Sequence, residues 1–188
     1  MHQDDVREEI FDVVNDHDQV IGSASREEVH ARGLKHRAVH VLVFNPAGEL
    51  FVQKRSATKD TFPGCYDSSA SGHLGSGEEY DACAVRELQE ELGLEVSPQL
   101  LRKHFKIAAC PETGREFVWV YNIQGDFTPT VNPAEIDAGR FFPVSSVRAL
   151  IAQHRGCLRS LISPRLPRVS GARAVSICPL ITECKPLQ

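Results

Sequence analysis

Apolar and polar positions alternate along this chain in two different periods. Ile10 to Val14 is a β-forming run, interrupted by the turn residues Asn15-Asp16-His17-Asp18 and resumed at Val20, Ile21 and Gly22. Ser25 followed by Glu28 spells a capping box that starts a helix, and Gly33 stops it, because glycine accepts the left-handed C-cap. Val39 to Phe44 is strongly β-forming. Asn45-Pro46-Ala47-Gly48 then places proline second and glycine fourth in a type I turn, and Leu50 to Lys54 returns as the hairpin partner. Lys59 to Gly64 reads as a loop and Tyr66 to Ser71 as a short polar strand. Ser76 and Glu79 form a second capping box ahead of a helix over about Glu78 to Leu92, with Gly93 as its stop. Leu100 to Ala109 and Glu116 to Ile123 predict two more strands. Arg140 to Phe142 predicts a short one ended by Pro143, after which Ser145 or Ser146 caps a helix reaching about His154. Beyond Arg155 the periodicity dissolves among prolines. That predicts a poorly ordered tail, with one apolar stretch near Val175 to Ile181.

Strands, helix, strands, helix is the order of an α/β chain with a mixed β-sheet flanked by helices. A length of 188 residues suits one domain with a real core and leaves little room for a second. The expected organisation is a strand-turn-strand-helix segment over 1–35 packed on the core, a central domain over 36–155, and a tail over 156–188.

Charge and composition narrow the function more than the fold. A net charge of −4 argues against a surface that coats nucleic acid, which is usually basic. It leaves room for a phosphorylated small molecule, because a basic pocket or a bound metal can supply positive charge locally. No apolar run is long enough to span a membrane. The start, Met1 to Glu9, is acidic and polar, unlike a signal peptide. The six cysteines, at 65, 83, 110, 157, 178 and 184, form no C-x-x-C pair, and they are expected to be reduced thiols in a cytoplasmic protein. Monomer and homodimer both remain open.

The chemistry concentrates between Gly72 and Leu94. Projected at 100° per residue, Ala84, Val85, Leu88 and Leu92 form one stripe that must face a core. Glu87, Glu90 and Glu91 form the stripe beside it. Carboxylates three and four residues apart repel one another on a helix, and these lie in its last turns, where the dipole disfavours acids. A hard divalent cation would hold them together and couple them to phosphate oxygens. A solvated acidic face balanced by Arg86 would account for the helix alone equally well.

The full spacing separates the two. Gly72, Glu78, Arg86, Glu87, Leu88, Glu90, Glu91, Gly93 and Leu94 occupy a fixed pattern whose chance occurrence is on the order of 10⁻¹⁰ per starting point. This segment resembles the signature of the Nudix hydrolase superfamily at every fixed position. The resemblance implies a Nudix-type α/β/α sandwich and a small phosphorylated substrate, an X-linked nucleoside diphosphate. It implies that Glu87, Glu90 and Glu91 bind magnesium, with manganese as the alternative ion, and that Arg86 orients a glutamate. The implied reaction is attack of water on phosphorus, with Glu90 or Glu87 as the base.

A second resemblance runs from about Phe11 to Phe142. Lys35-His36-Arg37-Ala38-Val39, Gln53-Lys54-Arg55-Ser56 and Lys59 to Gly64 are similar to isopentenyl-diphosphate isomerase and its hydrolase relatives. It implies that Arg55 and Lys59 hold the diphosphate, and that His36, His73 and Glu116 match ligands of a second metal site. The isomerases carry a catalytic cysteine immediately before a Gly-His pair. Here Ser71 precedes Gly72 and His73, and a hydroxyl is a poor proton shuttle at neutral pH. A metal-dependent hydrolase is therefore expected. An isomerase-like enzyme and a non-catalytic nucleotide-binding module are the alternatives.

Overall fold

The structure is a computed structural model, and it describes residues 8–59 and 62–153. The expected tail, its apolar stretch and the end of the last helix at His154 lie outside the described residues.

The N-terminal strands β1 (Ile10–Val14) and β2 (Val20–Ser25) form a two-stranded antiparallel sheet. Helix α1 (Arg26–Arg32) follows, capped as the sequence predicts: Ser25 accepts from the Glu28 backbone N–H, and Gly33 is left-handed at φ 60. Only half of the capping box forms, because the Glu28 carboxylate pairs with Arg32 instead.

The main sheet is built around β3 (His36–Phe44). It pairs in parallel with β8 (Glu116–Gln124) along its whole length, and β8 pairs antiparallel with β7 (Arg102–Ile107). On the other edge, β4 (Leu50–Arg55) pairs antiparallel with β9 (Ile136–Phe142) and with the short β5 (Tyr66–Asp67). The sheet is mixed, as expected. Because β3 is buried on both faces, its apolar run is almost continuous. Val39, Val41 and Val43 pack toward helix α2 (Tyr80–Leu92), while Ala38, Leu42 and Phe44 join the core that receives Val147 of helix α3 (Val144–Gln153). The result is the α/β/α sandwich.

Several local expectations are corrected. The hairpin of β3 and β4 closes on the Asn45–Gly48 turn but keeps only one ladder pair, Phe44 with Leu50. Ser69 replaces the missing ladder: its hydroxyl accepts from the Val43 backbone N–H at 2.8 Å and donates to the Phe51 carbonyl at 2.5 Å. The single strand expected over Tyr66 to Ser71 is two, β5 and β6 (Ala70–His73), and β6 takes the place beside β3 that β4 vacates. The last strand begins at Ile136 rather than Arg140, because pairing with β4 carries it further back. Helix α2 starts at Tyr80 without a side-chain cap. The expected cap, Ser76, spends its hydroxyl on Asp12 at 2.8 Å. On the helix itself, Cys83 occupies the core stripe and Val85 is only half-buried. Cys65 is disulfide-bonded, against the expectation of six free thiols, whereas Cys83 and Cys110 are free. Such pairing is set by which segments meet in space, and spacing along the chain carries no signal for it. No helix among the described residues is long and apolar enough to cross a membrane.

The N-terminal turn is pinned to the sandwich by Asp18, which takes a left-handed φ of 59. Its carboxylate accepts from Arg37 Nε at 2.7 Å, from the Tyr80 hydroxyl at 3.0 Å and from Lys106. Three elements, β3, α2 and β7, thus converge on one acid. Asp18→Ala strands Arg37 and Tyr80 in a partly buried setting. It is expected to cost about 2 kcal/mol, read in thermal unfolding as a Tm lower by roughly 4–8 °C. An unchanged Tm would show that the hairpin is anchored elsewhere.

Candidate active site

Helix α2 brings its acids to the sheet because β6 lets it approach. A Cβ placed on Gly72 would lie 1.8 Å from Glu87 Oε1, so only glycine leaves room for that carboxylate. Glu87 and Glu91 are accordingly buried, at 8% and 5% exposure, while Glu90 stands at the mouth with about half of its side chain exposed. Glu91 sits where the sheet divides between β6 and β4. It accepts from the Ser71 backbone N–H at 3.1 Å and from Gln53 Nε2 at 3.0 Å.

Arg86 ties the cluster together. Its guanidinium donates to both oxygens of Glu78 at 2.9 and 3.0 Å, to Glu87 at 2.7 Å, to Glu90 at 2.8 Å and to the His73 carbonyl at 3.0 Å. Glu78 also accepts from the Gly75 backbone N–H at 2.9 Å. The loop carrying Glu78 is held in turn by β1, where Asp12 accepts from the Ser76 hydroxyl and, at 3.1 Å, from the Gly77 backbone N–H.

The electrostatics follow. Burial raises the Glu87 carboxyl to about 7 despite the Arg86 charge beside it, with Glu90 and Glu78 adding repulsion. Glu91 is pushed well above the ordinary range, first by burial and then by Glu87 and Asp67. Glu78 moves the other way: burial would raise it, but the hydrogen bonds from Arg86 and from the Gly75 N–H hold it below the usual value.

These residues line a cavity of about 770 Å³. Nine carboxylates line it against four Arg and Lys side chains. Arg55 and Lys59, the residues that the resemblance implies for the diphosphate, are both in the wall. Arg55 lies 3.2 Å from Asp67, and Lys59 pairs with Glu135. Both cations therefore already face acids.

A second cluster lies against Glu116 on the same wall. The ring nitrogens of His30, His36 and His73 come within 4.8 Å of one another. His73 Nε2 is 3.1 Å from Glu116 Oε1, and His36 Nε2 is 3.6 Å away, too long for a hydrogen bond. His36 Nδ1 lies 3.0 Å from the Leu34 carbonyl, to which it must donate. That leaves Nε2 buried, facing Glu116, with no hydrogen-bond partner among the described residues. Phe11 stacks on His36 and His73 at 5.8 and 5.0 Å between ring centroids. Burial raises the Glu116 carboxyl, but its contacts with His36 and His73 outweigh that and lower it. The structure thus brings together every residue singled out in the sequence. It adds His30, Gln53, Glu78, Asp12 and His40, which reading the sequence assigned no role at the site. Glu78 had a usable signal in its fixed place in the motif, and Gln53 stood in the Gln53-Lys54-Arg55-Ser56 stretch. The others arrive from β1, α1 and β3, by folding alone.

The comparisons with known proteins point to one family. The NUDIX domain family model matches residues 34–162. An uncharacterised Nudix hydrolase of Streptomyces coelicolor is 36% identical over 148 residues, covering 78% of this chain and 81% of the relative. An isopentenyl-diphosphate Delta-isomerase of Photorhabdus laumondii is 34% identical over 146 residues, covering 77% and 82%. The crystal structure of a Deinococcus radiodurans protein is similar at a TM-score of 0.68 and 32% identity, covering 77% of this chain and 90% of that one.

A carboxyl whose folded pKa is raised destabilises the fold once pH exceeds its unfolded value. In the presence of chelator, Glu91→Gln is therefore expected to raise Tm at pH 7 to 8. The gain should shrink as pH falls toward 4.5, where the unfolded carboxyl also protonates. Thermal unfolding across that range measures it, and a lower Tm at pH 8 would contradict the charged burial described here.

Proposed function

The chain belongs to the Nudix hydrolase superfamily and is an enzyme of that kind. From this premise we propose that it is a divalent-cation-dependent hydrolase that cleaves the phosphoanhydride bond of a nucleoside diphosphate joined to another group. The single observation that carries the reading is the crowding of Glu87, Glu90 and Glu91 in a cavity where acids outnumber cations. A diphosphate would be repelled there unless a cation came with it. The donor set fits a hard ion, because it consists of carboxylate oxygens, and Gly72 gives the Glu87 carboxylate the room that a side chain would take. Glu87, Glu90 and Glu91 would hold magnesium or manganese. When bound, the ion neutralises phosphate charge and makes water a better nucleophile.

The chain's own residues divide the remaining work. Glu91 is fixed by Ser71 and Gln53, and Glu78 is locked by Arg86 and Gly75. Glu78, held through both oxygens, is not free to move a proton, and Glu91 lies deepest, with both donors on its Oε2. Glu87 and Glu90 each receive one contact from Arg86 Nη1 and keep their other oxygen available, so one of these two takes the water's proton. Arg86 positions both. Arg55 and Lys59 are the candidates for gripping the outer phosphate oxygens, by exchanging their acid partners for substrate. Ile10, Phe11 and Arg26 in the wall support reading the N-terminal strands and helix as a unit packed on the central domain.

A second cation at His30, His36, His73 and Glu116 is part of the proposal, supported by the orphaned Nε2 of His36. The isomerase reading is favoured only by the likeness to the Photorhabdus protein. It would need a proton donor at position 71, where this chain has serine.

A phosphate-release screen over nucleoside di- and triphosphates, nucleotide sugars and dinucleoside polyphosphates, with and without magnesium or manganese, tests the reading. At least one substrate should turn over, chelator should abolish this, and Glu90→Gln should lower kcat by about 10²-fold or more. Metal-independent turnover would defeat it. Isopentenyl diphosphate should not isomerise under the same conditions, as phosphorus NMR would report. For the second cluster, His36→Ala is expected to remove one manganese from the number bound in an electron paramagnetic resonance titration. An unchanged count would remove that site from the proposal.

A further inference from the structure

Past the acidic floor, the cavity continues along the other face of β3, where His40 lines it beside Ala38 and Val118. His40 is the ladder partner of Ser71 on β6 and of Val120 on β8. Its Nδ1 lies 2.9 Å from the hydroxyl of the buried Ser68. That hydroxyl has one hydrogen and two acceptors of its own, the Ala70 carbonyl at 3.2 Å and the Asp67 carboxylate at 3.4 Å. Both of these can only accept, so giving its hydrogen to either leaves the Ser68 oxygen to accept from His40 and places the imidazole proton on Nδ1. Burial keeps the ring neutral by holding its pKa below the ordinary value.

Nε2 is then a bare lone pair. It has no hydrogen-bond partner among the described residues, and His40, only partly buried, lines the cavity. A neutral acceptor offers nothing to a phosphate oxygen, which is itself an acceptor. It suits a hydrogen-bond donor. Ladder partners have Cα atoms about 4.5–5.5 Å apart, and the Ser71 N–H contacts Glu91. The acceptor therefore stands one strand away from the acids that face the diphosphate.

We propose that His40 Nε2 is a specificity determinant: it accepts a hydrogen bond from an N–H or O–H group on the nucleoside side of the substrate. This rests on the hydrolase reading above and names the chemistry that reading leaves open. Two sources share it, the exocyclic amine of a base and the ribose 2′-hydroxyl. A polar site that expects a donor discriminates against analogues lacking it, because the acceptor is left unpaired.

The test uses the full chain with magnesium and the α,β-methylene diphosphates of cytidine, uridine, 2′-deoxycytidine, adenosine and inosine, titrated calorimetrically. These compounds bind without turnover. Cytidine against uridine and adenosine against inosine isolate the amine; ribose against deoxyribose isolates the hydroxyl. At least one pair should differ by about tenfold or more in Kd. His40→Phe should cut that difference to less than about threefold at an unchanged Tm, and His40→Gln, which keeps an acceptor, should retain it. Equal Kd values across all pairs in the wild type, or a difference that survives His40→Phe, would overturn the role of His40 while leaving the hydrolase reading in place. Failure of the wild type to bind any of them and to hydrolyse any nucleotide would overturn both.

Discussion

The close approach of helix α2 to strand β6 at Gly72 governs this molecule. Glu87 occupies the volume that any side chain at position 72 would fill. Once there, it is buried beside Glu91 and near Glu78 and Glu90, an arrangement that Coulomb repulsion and desolvation both oppose. Arg86 makes it tolerable by reaching three carboxylates and one carbonyl from a single guanidinium. The planar fork of arginine suits this role, and a lysine at the same place could not span the same partners. Much of the surrounding structure serves to keep that guanidinium and the loop of Glu78 in place, including the grip of Asp12 on Ser76 and Gly77.

A divided sheet supplies the cavity. β4 leaves β3 after one ladder pair, β6 fills the gap, and the Ser69 hydroxyl bridges Val43 and Phe51 where backbone pairing is lost. Glu91 stands in the resulting cleft between the Ser71 N–H and Gln53. Without the division, the edge of β3 opposite β8 would be closed by one continuous ladder. With it, one cavity touches the acids on the α2 side, the histidine cluster near Glu116 and His40 on the opposite face. The three lie along one or two strands, at spacings set by the β-ladder, which suits a ligand with a charged end and a neutral end.

Stability and function pull against each other at these acids. Glu87 and Glu91 are held above their ordinary pKa, so their ionised forms burden the fold. Buried charge of this sort persists when something else neutralises it, and a divalent ion among oxygen donors is the natural agent. The Nε2 of His36, oriented toward Glu116 by a hydrogen bond on its other nitrogen, shows the same orientation logic in a softer donor set.

The local features were determined by the sequence by itself. The turn at Asn45–Gly48, the cap at Ser25, the stops at Gly33 and Gly93, and the acidic stripe of α2 each depend on residues a few positions apart, and the spacing from Gly72 to Leu94 was specific enough to place the family. Every feature that depends on chain segments meeting was decided by the tertiary structure. Ser76 could cap α2 on local grounds, but β1 brings Asp12 to its hydroxyl and the cap is lost. The hairpin of β3 and β4 is correct at its turn and opens beyond it, because β6 and β9 compete for the same edges. His30 and His40 carried no signal, since a lone histidine becomes a ligand or an acceptor only through its neighbours in space. Periodicity and capping are encoded within a turn or two of the chain, whereas a cavity and its protonation states are properties of surfaces that only folding brings face to face.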